Sequence, residues 1–167
     1  MDKREAFTDL IQQHKGLIYK VAALYADNLH DREDMCQEII YQLWKSYDSF
    51  ENRSGIGTWM YRVAMNTAIN FFKRHKRRLA VESTGREILD YAEPPDADME
   101  ERFKAMNDQI KELNLMERGI VMLYLEGRSY EEISEVIGIS TSNVGTRLSR
   151  IRDKLQKGIA KTNSYGS

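Results

Sequence analysis

Residues 129–157 read SYEEISEVIGISTSNVGTRLSRIRDKLQK, and this stretch decides the fold. It predicts a short helix, Tyr130–Ile137, with Ile133, Val136 and Ile137 on one side. Gly138-Ile139-Ser140 makes the turn, since glycine takes the left-handed backbone of a helix end without a steric penalty. Ser140 then caps a last helix, Thr141 to about Lys157. Val144, Leu148, Ile151 and Leu155 recur at helical spacing and form one apolar stripe. The opposite side carries Ser142, Asn143, Thr146, Arg147, Ser149, Arg150 and Lys157. This is a helix-turn-helix pattern with a polar, partly cationic second helix. In a major groove, arginine pairs with guanine edges, asparagine with adenine, and hydroxyls with phosphates. The same pattern also describes an amphipathic helix of a small bundle. Charge favours DNA, because Asp153 is the only acid from Arg147 to Lys161. Phosphate neutralisation is the main term in such affinity.

Toward the N-terminus, the punctuation continues. Gly127 closes the preceding helix. Asn114-Leu115-Met116-Glu117 and Ser129-Tyr130-Glu131-Glu132 both have the spacing of a capping box. Residues 99–167 thus form one small helical domain with a tail. Residues 79–98 differ: Gly85, Pro94 and Pro95 sit among Glu82, Glu87, Asp90, Glu93, Asp96 and Asp98, against a lone Arg86. That is an acidic linker, either a solvated tether or a mimic of nucleic-acid charge.

Residues 1–78 form the other domain, of three or four helices. The first covers residues 3–28, with a break at Gly16. Asp31 caps a second helix through about Tyr47, with Met35, Cys36, Ile39, Ile40 and Leu43 inward. Asp48–Gly57 is a polar loop. A long helix runs from Thr58 to about Arg78. Met60, Ala64, Thr67 and Phe71 share its core side, and Trp59, Arg62, Asn66, Asn70, Lys73 and Arg77 share another. It ends in Lys73-Arg74-His75-Lys76-Arg77-Arg78. Cations for a backbone and an aromatic face for unstacked bases suit single-stranded DNA. A basic helix end also suits the helix dipole, and Trp59 and Tyr61 also suit a core. No strand pattern appears, so the fold class is all-α: two small helical domains joined by an acidic linker.

The bulk composition excludes other classes. The 167 residues are 41% hydrophobic and 31% charged, with net charge −1, which argues against disorder and fibres. One cysteine, Cys36, rules out a disulfide within the chain and reads as a small core residue rather than a reactive thiol. His14, His30 and His75 lack metal-ligand spacing, and nothing in Asp31, Glu33, Asp34 and Glu38 selects a metal. We expect no metal, no cofactor and no catalytic residue. No apolar run approaches the roughly 18 residues of a membrane span, so membrane insertion is not expected and a cytoplasmic protein is. The N-terminal residues Met1-Asp2-Lys3-Arg4-Glu5 contain no apolar signal core.

Three segments together resemble the extracytoplasmic-function (ECF) group of the sigma-70 family of RNA polymerase sigma factors. They are Asp31-Arg32-Glu33-Asp34-Met35-Cys36-Gln37-Glu38 with Leu43-Trp44, then Gly57-Thr58-Trp59-Met60-Tyr61-Arg62-Val63-Ala64-Met65-Asn66, then Glu126-Gly127-Arg128-Ser129-Tyr130-Glu131-Glu132-Ile133. The resemblance spans nearly the whole chain, in the family's order and spacing. It implies an alternative sigma factor that binds core polymerase, recognises −10 and −35 promoter DNA and promotes strand opening. The second helix resembles region 2.2, which binds the β′ clamp helices; Asp34, Gln37, Glu38, Tyr41, Trp44 and Lys45 are then the contact residues. The next segment resembles regions 2.3 and 2.4. It assigns −10 DNA, single-stranded on opening, to Trp59, Arg62, Asn66, Asn70, Lys73, Arg74 and Arg77. The loop Tyr47–Gly57 is similar to the family's specificity loop, which captures a flipped base. The C-terminal domain resembles region 4, which meets the β flap and reads double-stranded −35 DNA, here through Ser142, Asn143, Thr146, Arg147 and Arg150. The acidic linker resembles the segment that threads toward the polymerase active-site and RNA-exit channels. An anti-sigma factor that masks both domains is a usual partner in the family.

One position departs from the family. Ser142-Asn143-Val144-Gly145-Thr146-Arg147 stands where Gly-Thr-Val-(Lys/Arg)-Ser-Arg is frequent, so Gly145 replaces a basic, DNA-contacting residue. A glycine inside a helix also costs about 1 kcal/mol against alanine. Readout of −35 DNA is then weak or moved to Asn143, Arg147 and Arg150, and an additional DNA-targeting partner would compensate. The competing reading is a stand-alone helix-turn-helix regulator. It leaves the basic-aromatic helix and the clamp-like helix unexplained.

Overall fold

The structure, a computed structural model, describes residues 2–50, 55–81 and 97–165. Among the described residues seven α-helices follow in order: α1 Lys3–Tyr25, α2 Leu29–Ser46, α3 Ile56–Val81, α4 Ala97–Glu112, α5 Leu115–Leu125, α6 Tyr130–Ile137 and α7 Thr141–Tyr165, with a 3-10 turn at Tyr47–Ser49 after α2. No strand occurs among the described residues. The chain divides into two compact units, residues 1–90 and 91–167. Of the expected acidic linker, residues 82–96 lie outside the described residues, while 79–81 end α3 and 97–98 begin α4. No helix among the described residues is long and apolar enough to cross a membrane.

In the first unit α1, α2 and α3 each pack on the other two. Ile18, Val21 and Tyr25 of α1, Met35, Ile39 and Leu43 of α2, and Met60, Ala64, Met65 and Ala68 of α3 are all buried in this three-helix core. Each large apolar side chain so removed from water contributes about 1.5–3 kcal/mol. Each of the three helices differs in detail from expectation. The backbone of α1 departs from helix at His14 (φ −116°, ψ 18°), not at Gly16. Asn28, not Asp31, caps α2. Its Oδ1 accepts from the Asp31 amide at 2.8 Å, and its Nδ2 donates to Asp31 Oδ2 at 2.9 Å. The reason is reciprocity. An amide at the cap satisfies one orphan N–H, and an acid three residues on answers it, which adds Leu29 and His30 to the helix. α3 likewise starts two residues before Thr58 and passes Arg78 to reach Val81.

In the second unit α5, α6 and α7 pack pairwise and α4 packs on α7. The capping box at Asn114 is complete: its side chain accepts from the Glu117 amide at 2.9 Å, and Glu117 Oε1 accepts from the Asn114 amide at 3.2 Å. At Ser129 only half forms. Ser129 Oγ accepts from the Glu132 amide at 3.1 Å, but the Glu132 carboxylate pairs with Arg128 at 3.1 Å instead of reaching back. Gly127 (φ +81°) and Gly138 (φ +84°) both adopt the left-handed conformation that their helix ends require. Ile133, Val136, Val144, Leu148 and Ile151 are buried with Ile120 and Leu123. Leu155 is only half-buried, and α7 continues past Lys157 to Tyr165.

Candidate nucleic-acid interface

α2 sends its apolar stripe inward, so its remaining side is polar. Gln37, Tyr41 and Lys45 are exposed, Asp34 and Glu38 half-buried. The Lys45 ammonium lies 5.8 Å from the centre of the Tyr41 ring. Asp34 pairs with His30 at 3.4 Å and Asp31 with His75 of α3 at 3.1 Å, so these acids have cationic or donor partners. His75 also stacks on Phe71, with centroids 6.4 Å apart. These residues border a groove of about 620 Å³ between α2 and α3 that includes Gln37, Glu38 and Tyr41. Trp44 is half-buried at the edge of this face. Its ring meets Phe7 edge-on at 5.0 Å, and the Lys3 ammonium lies 4.4 Å above it.

On α3, Asn66, Asn70, Lys73, Arg74 and Arg77 are exposed and Arg62 is half-buried. They follow one another along the helix as expected. Trp59 does not join them: it is 7% exposed, with its ring 4.8 Å from Phe50. This corrects its assignment to the exposed face. The cause is packing on two sides, since α3 touches both α1 and α2 and needs a wider apolar surface than a single stripe. Tyr61 is buried for the same reason. Asn66, Asn70 and Arg74 share a second groove, of about 310 Å³, with Glu38, Gln42 and Ser46 of α2. Gln42 Nε2 donates to Glu38 Oε1 at 3.2 Å. Gln42 and Ser46 were not singled out from the sequence, although each follows Glu38 at helical spacing. The specificity-like loop is described only in part: Tyr47–Ser49 and Phe50 are seen, and residues 51–54 lie outside the described residues.

On α7, Ser142, Asn143, Thr146 and Arg150 are exposed and Arg147 is half-buried. The stripe Val144, Leu148 and Ile151 fixes that orientation by burial. Thr146 Oγ1 donates to the Ser142 carbonyl at 3.1 Å, which leaves its oxygen to accept. Arg152 is engaged within the unit: it donates to the Tyr124 hydroxyl at 2.7 Å. Gly145 lies on the flank, where a Cβ would stand 3.6 Å from Cε2 of Tyr130. The cationic and amide groups of α3 and the hydroxyl, amide and guanidinium groups of α7 are two separate surfaces with the chemistry of nucleic-acid contact.

Comparison with known proteins fits this division. Residues 10–78 match the family model of Sigma-70 region 2, and residues 104–155 match that of Sigma-70, region 4. A polymerase-associated initiation factor of two helical units is thus the class defined. The chain is 30% identical over 166 residues to ECF RNA polymerase sigma factor SigW of Bacillus subtilis (strain 168), covering 92% of this chain and 89% of that protein. It is 24% identical over 170 residues to ECF RNA polymerase sigma factor SigE of Mycolicibacterium smegmatis (strain ATCC 700084 / mc(2)155), covering 95% of this chain and 63% of that longer protein. In fold it is similar to the sigma factor RpoE, solved in complex with the anti-sigma factor NepR from Bartonella quintana. The TM-score is 0.74 at 21% identity, over 93% of this chain and 98% of that one. The chain belongs to the ECF group of the sigma-70 family, as an alternative sigma factor. Two region models in family order do not favour the stand-alone regulator.

Proposed function

We propose that this sigma factor joins RNA polymerase core through the outer side of α2, opens the −10 element along α3 and reads the −35 duplex with α7. The observation that carries the reading is the burial pattern. Each of these three helices buries its apolar stripe within its own unit and leaves exposed or half-exposed the polar residues that the resemblance assigns to polymerase and DNA, Trp59 alone being buried. Asp34, Gln37, Glu38, Tyr41 and Lys45 meet the β′ clamp helices, with Trp44 as a supported edge. An exposed tyrosine among charged groups suits such an interface. Arg62, Asn66, Asn70, Lys73, Arg74 and Arg77 hold the displaced strand. Opening DNA without ATP requires favourable binding of the unpaired strand, and a base extruded into the loop after α2 supplies part of it. The second unit meets the β flap. Domains 1–78 and 99–167 act on the two promoter elements and 79–98 links them. Promoter DNA, core polymerase and an anti-sigma factor are the partners; the cytoplasm is the compartment.

The test follows from where Trp44 sits. Because its ring packs on Phe7, its removal would disturb the fold, so the informative variant spares it. Asp34→Ala with Glu38→Ala and Tyr41→Ala should lower co-purification with core polymerase at least tenfold at unchanged helix content. Undiminished co-purification of the folded triple variant would refute the α2 interface.

A further inference from the structure

We propose that Phe7 of α1 is a positioning residue for the loop that follows α2, holding its entry in place for capture of an extruded −10 base. The inference rests on the reading of that loop as base-capturing, and it brings α1 into promoter opening. Lys3 and Phe7 stand four residues apart on a helix that Asp2 caps, its side chain accepting from the Glu5 amide at 2.8 Å. They therefore share one face. Trp44, Tyr47 and Asp48 have the matching spacing of three and four across the end of α2 and the 3-10 turn. The two faces meet. The Phe7 ring lies edge-on to Trp44 at 5.0 Å and to Tyr47 at 5.3 Å. The Lys3 ammonium sits 4.4 Å from the centre of the Trp44 ring and 2.7 Å from Asp48 Oδ2.

The turn is a self-contained unit. Ser49 Oγ donates to the Ser46 carbonyl at 2.8 Å, and the Phe50 amide donates to the Tyr47 carbonyl at 3.3 Å. Its place on the domain is then set by what it touches at each end: Phe7 at Tyr47, and Trp59 of α3 at Phe50, with centroids 4.8 Å apart. Between these rings α1 stands off, since Ala6, Leu10 and Gln13 line a groove of about 550 Å³ with Phe50 and Ile56. The pair of Lys3 and Asp48 is exposed and adds little by itself. Phe7 is 7% exposed, so its ring carries the contact. The bend of α1 at His14 gives residues 3–13 a direction of their own. That segment delivers Phe7 to the turn while Ile18, Val21 and Tyr25 stay in the core. A loop already held in its binding conformation loses less conformational entropy when it takes a ligand. Phe7 thus acts on the extruded base through Tyr47, without touching DNA.

The test uses holoenzyme assembled with the full chain at saturating concentration, on promoters whose non-template −10 strand carries an abasic site at each position in turn. In the wild type one position should shorten open-complex lifetime far more than the others, because the loop there has no base to hold. Phe7→Leu keeps an apolar side chain and removes the ring edges that meet Trp44 and Tyr47. It should weaken that one dependence about three- to tenfold, the cost of leaving a side chain to be ordered on binding. Dependence at the other positions and closed-complex formation should stay as they are. A merely structural loss would lower all of these together, through the fraction of folded protein. Tyr47→Leu breaks the same contact from the other side at a half-buried position, and carries the test should Phe7→Leu not fold. The double variant should lose no more than the larger single loss. Unchanged dependence in both folded variants, beside a clear single position in the wild type, would overturn the role of Phe7 and leave the loop reading standing. Equal losses at every position, or additive losses in the double variant, would make Phe7 an ordinary core residue and overturn the proposal as well. A wild type with no such position would remove the loop reading and this proposal together.

Discussion

Glu117 is almost fully buried, yet each of its carboxylate oxygens has a donor. The Asn114 amide reaches Oε1 at 3.2 Å, and Lys154 Nζ reaches both oxygens at 2.9 Å. A buried carboxylate without such partners is costly, so these contacts make the position tolerable rather than strongly stabilising. Removing the side chain takes the acceptor from the Asn114 amide and the partner from the Lys154 cation. Glu117→Ala should destabilise the second unit by about 1–3 kcal/mol in urea unfolding. Glu117→Gln keeps the cap acceptor and should cost less; equal losses would mean that the cap acceptor contributes nothing beyond the charge pair with Lys154. Cys36 makes the opposite case, a group whose neighbours leave its thiol neutral. Burial pushes its pKa above the ordinary value, Glu33 adds to the shift and Arg32 opposes it. Thiolate is the reacting species, so iodoacetamide should modify folded protein more slowly than urea-unfolded protein at neutral pH. The gap should narrow as pH rises through the raised thiol value. Equal rates in the two states at neutral pH would contradict the burial argument.

Among the helices, α7 and α3 show what an apolar pattern can and cannot disclose. α7 packs on α4, α5 and α6, yet its fully buried residues Val144, Leu148 and Ile151 fall on one stripe, which was legible at four- and three-residue spacing. α3 is wedged against two helices, so period alone did not separate the inward Trp59 from the outward Arg62 and Asn66. Which aromatic is core depends on Phe50, which approaches from the segment after α2, and no local spacing encodes that approach. Gln42 and Ser46 escaped notice because a groove is a property of two helices, while the reading of α2 used one. The start of α2 moved because Asn28 and Asp31 can both cap, and Asn28 does so. Two variants separate packing from strand contact on α3. Trp59→Ala should lower stability by about 3–5 kcal/mol, the range for emptying a large aromatic site. Arg62→Ala with Asn66→Ala should cost less stability than Trp59→Ala and impair permanganate-detected melting more than closed-complex formation. A well-folded, fully stable Trp59→Ala protein would return Trp59 to the exposed face. Equal losses in melting and duplex binding would take strand opening away from Arg62 and Asn66.

At the scale of the molecule, the two units have separate cores and separate surfaces, and a sigma factor gains from that separation. Two modest DNA contacts on one chain make the second one intramolecular, so overall affinity exceeds either without demanding a tight site in each. On the reading proposed above, a weak duplex contact by α7 would be compatible with promoter recognition when the first unit is engaged. The arrangement predicts that each unit unfolds on its own core, and the sequence supplies the probe. Both tryptophans, Trp44 and Trp59, lie in the first unit, so tryptophan fluorescence reports that unit alone, while far-ultraviolet dichroism reports helices in both. Leu43 is fully buried in the first unit and Leu148 is buried in the second. Emptying either site should cost about 2–5 kcal/mol. Leu43→Ala should move the fluorescence midpoint in urea to lower concentration. Leu148→Ala should leave that midpoint in place and split the dichroism curve into an early transition from the second unit and a late one that coincides with fluorescence. A fluorescence midpoint shifted as far by Leu148→Ala as by Leu43→Ala would show one cooperative body, and the account of two separable promoter-reading units would have to be abandoned.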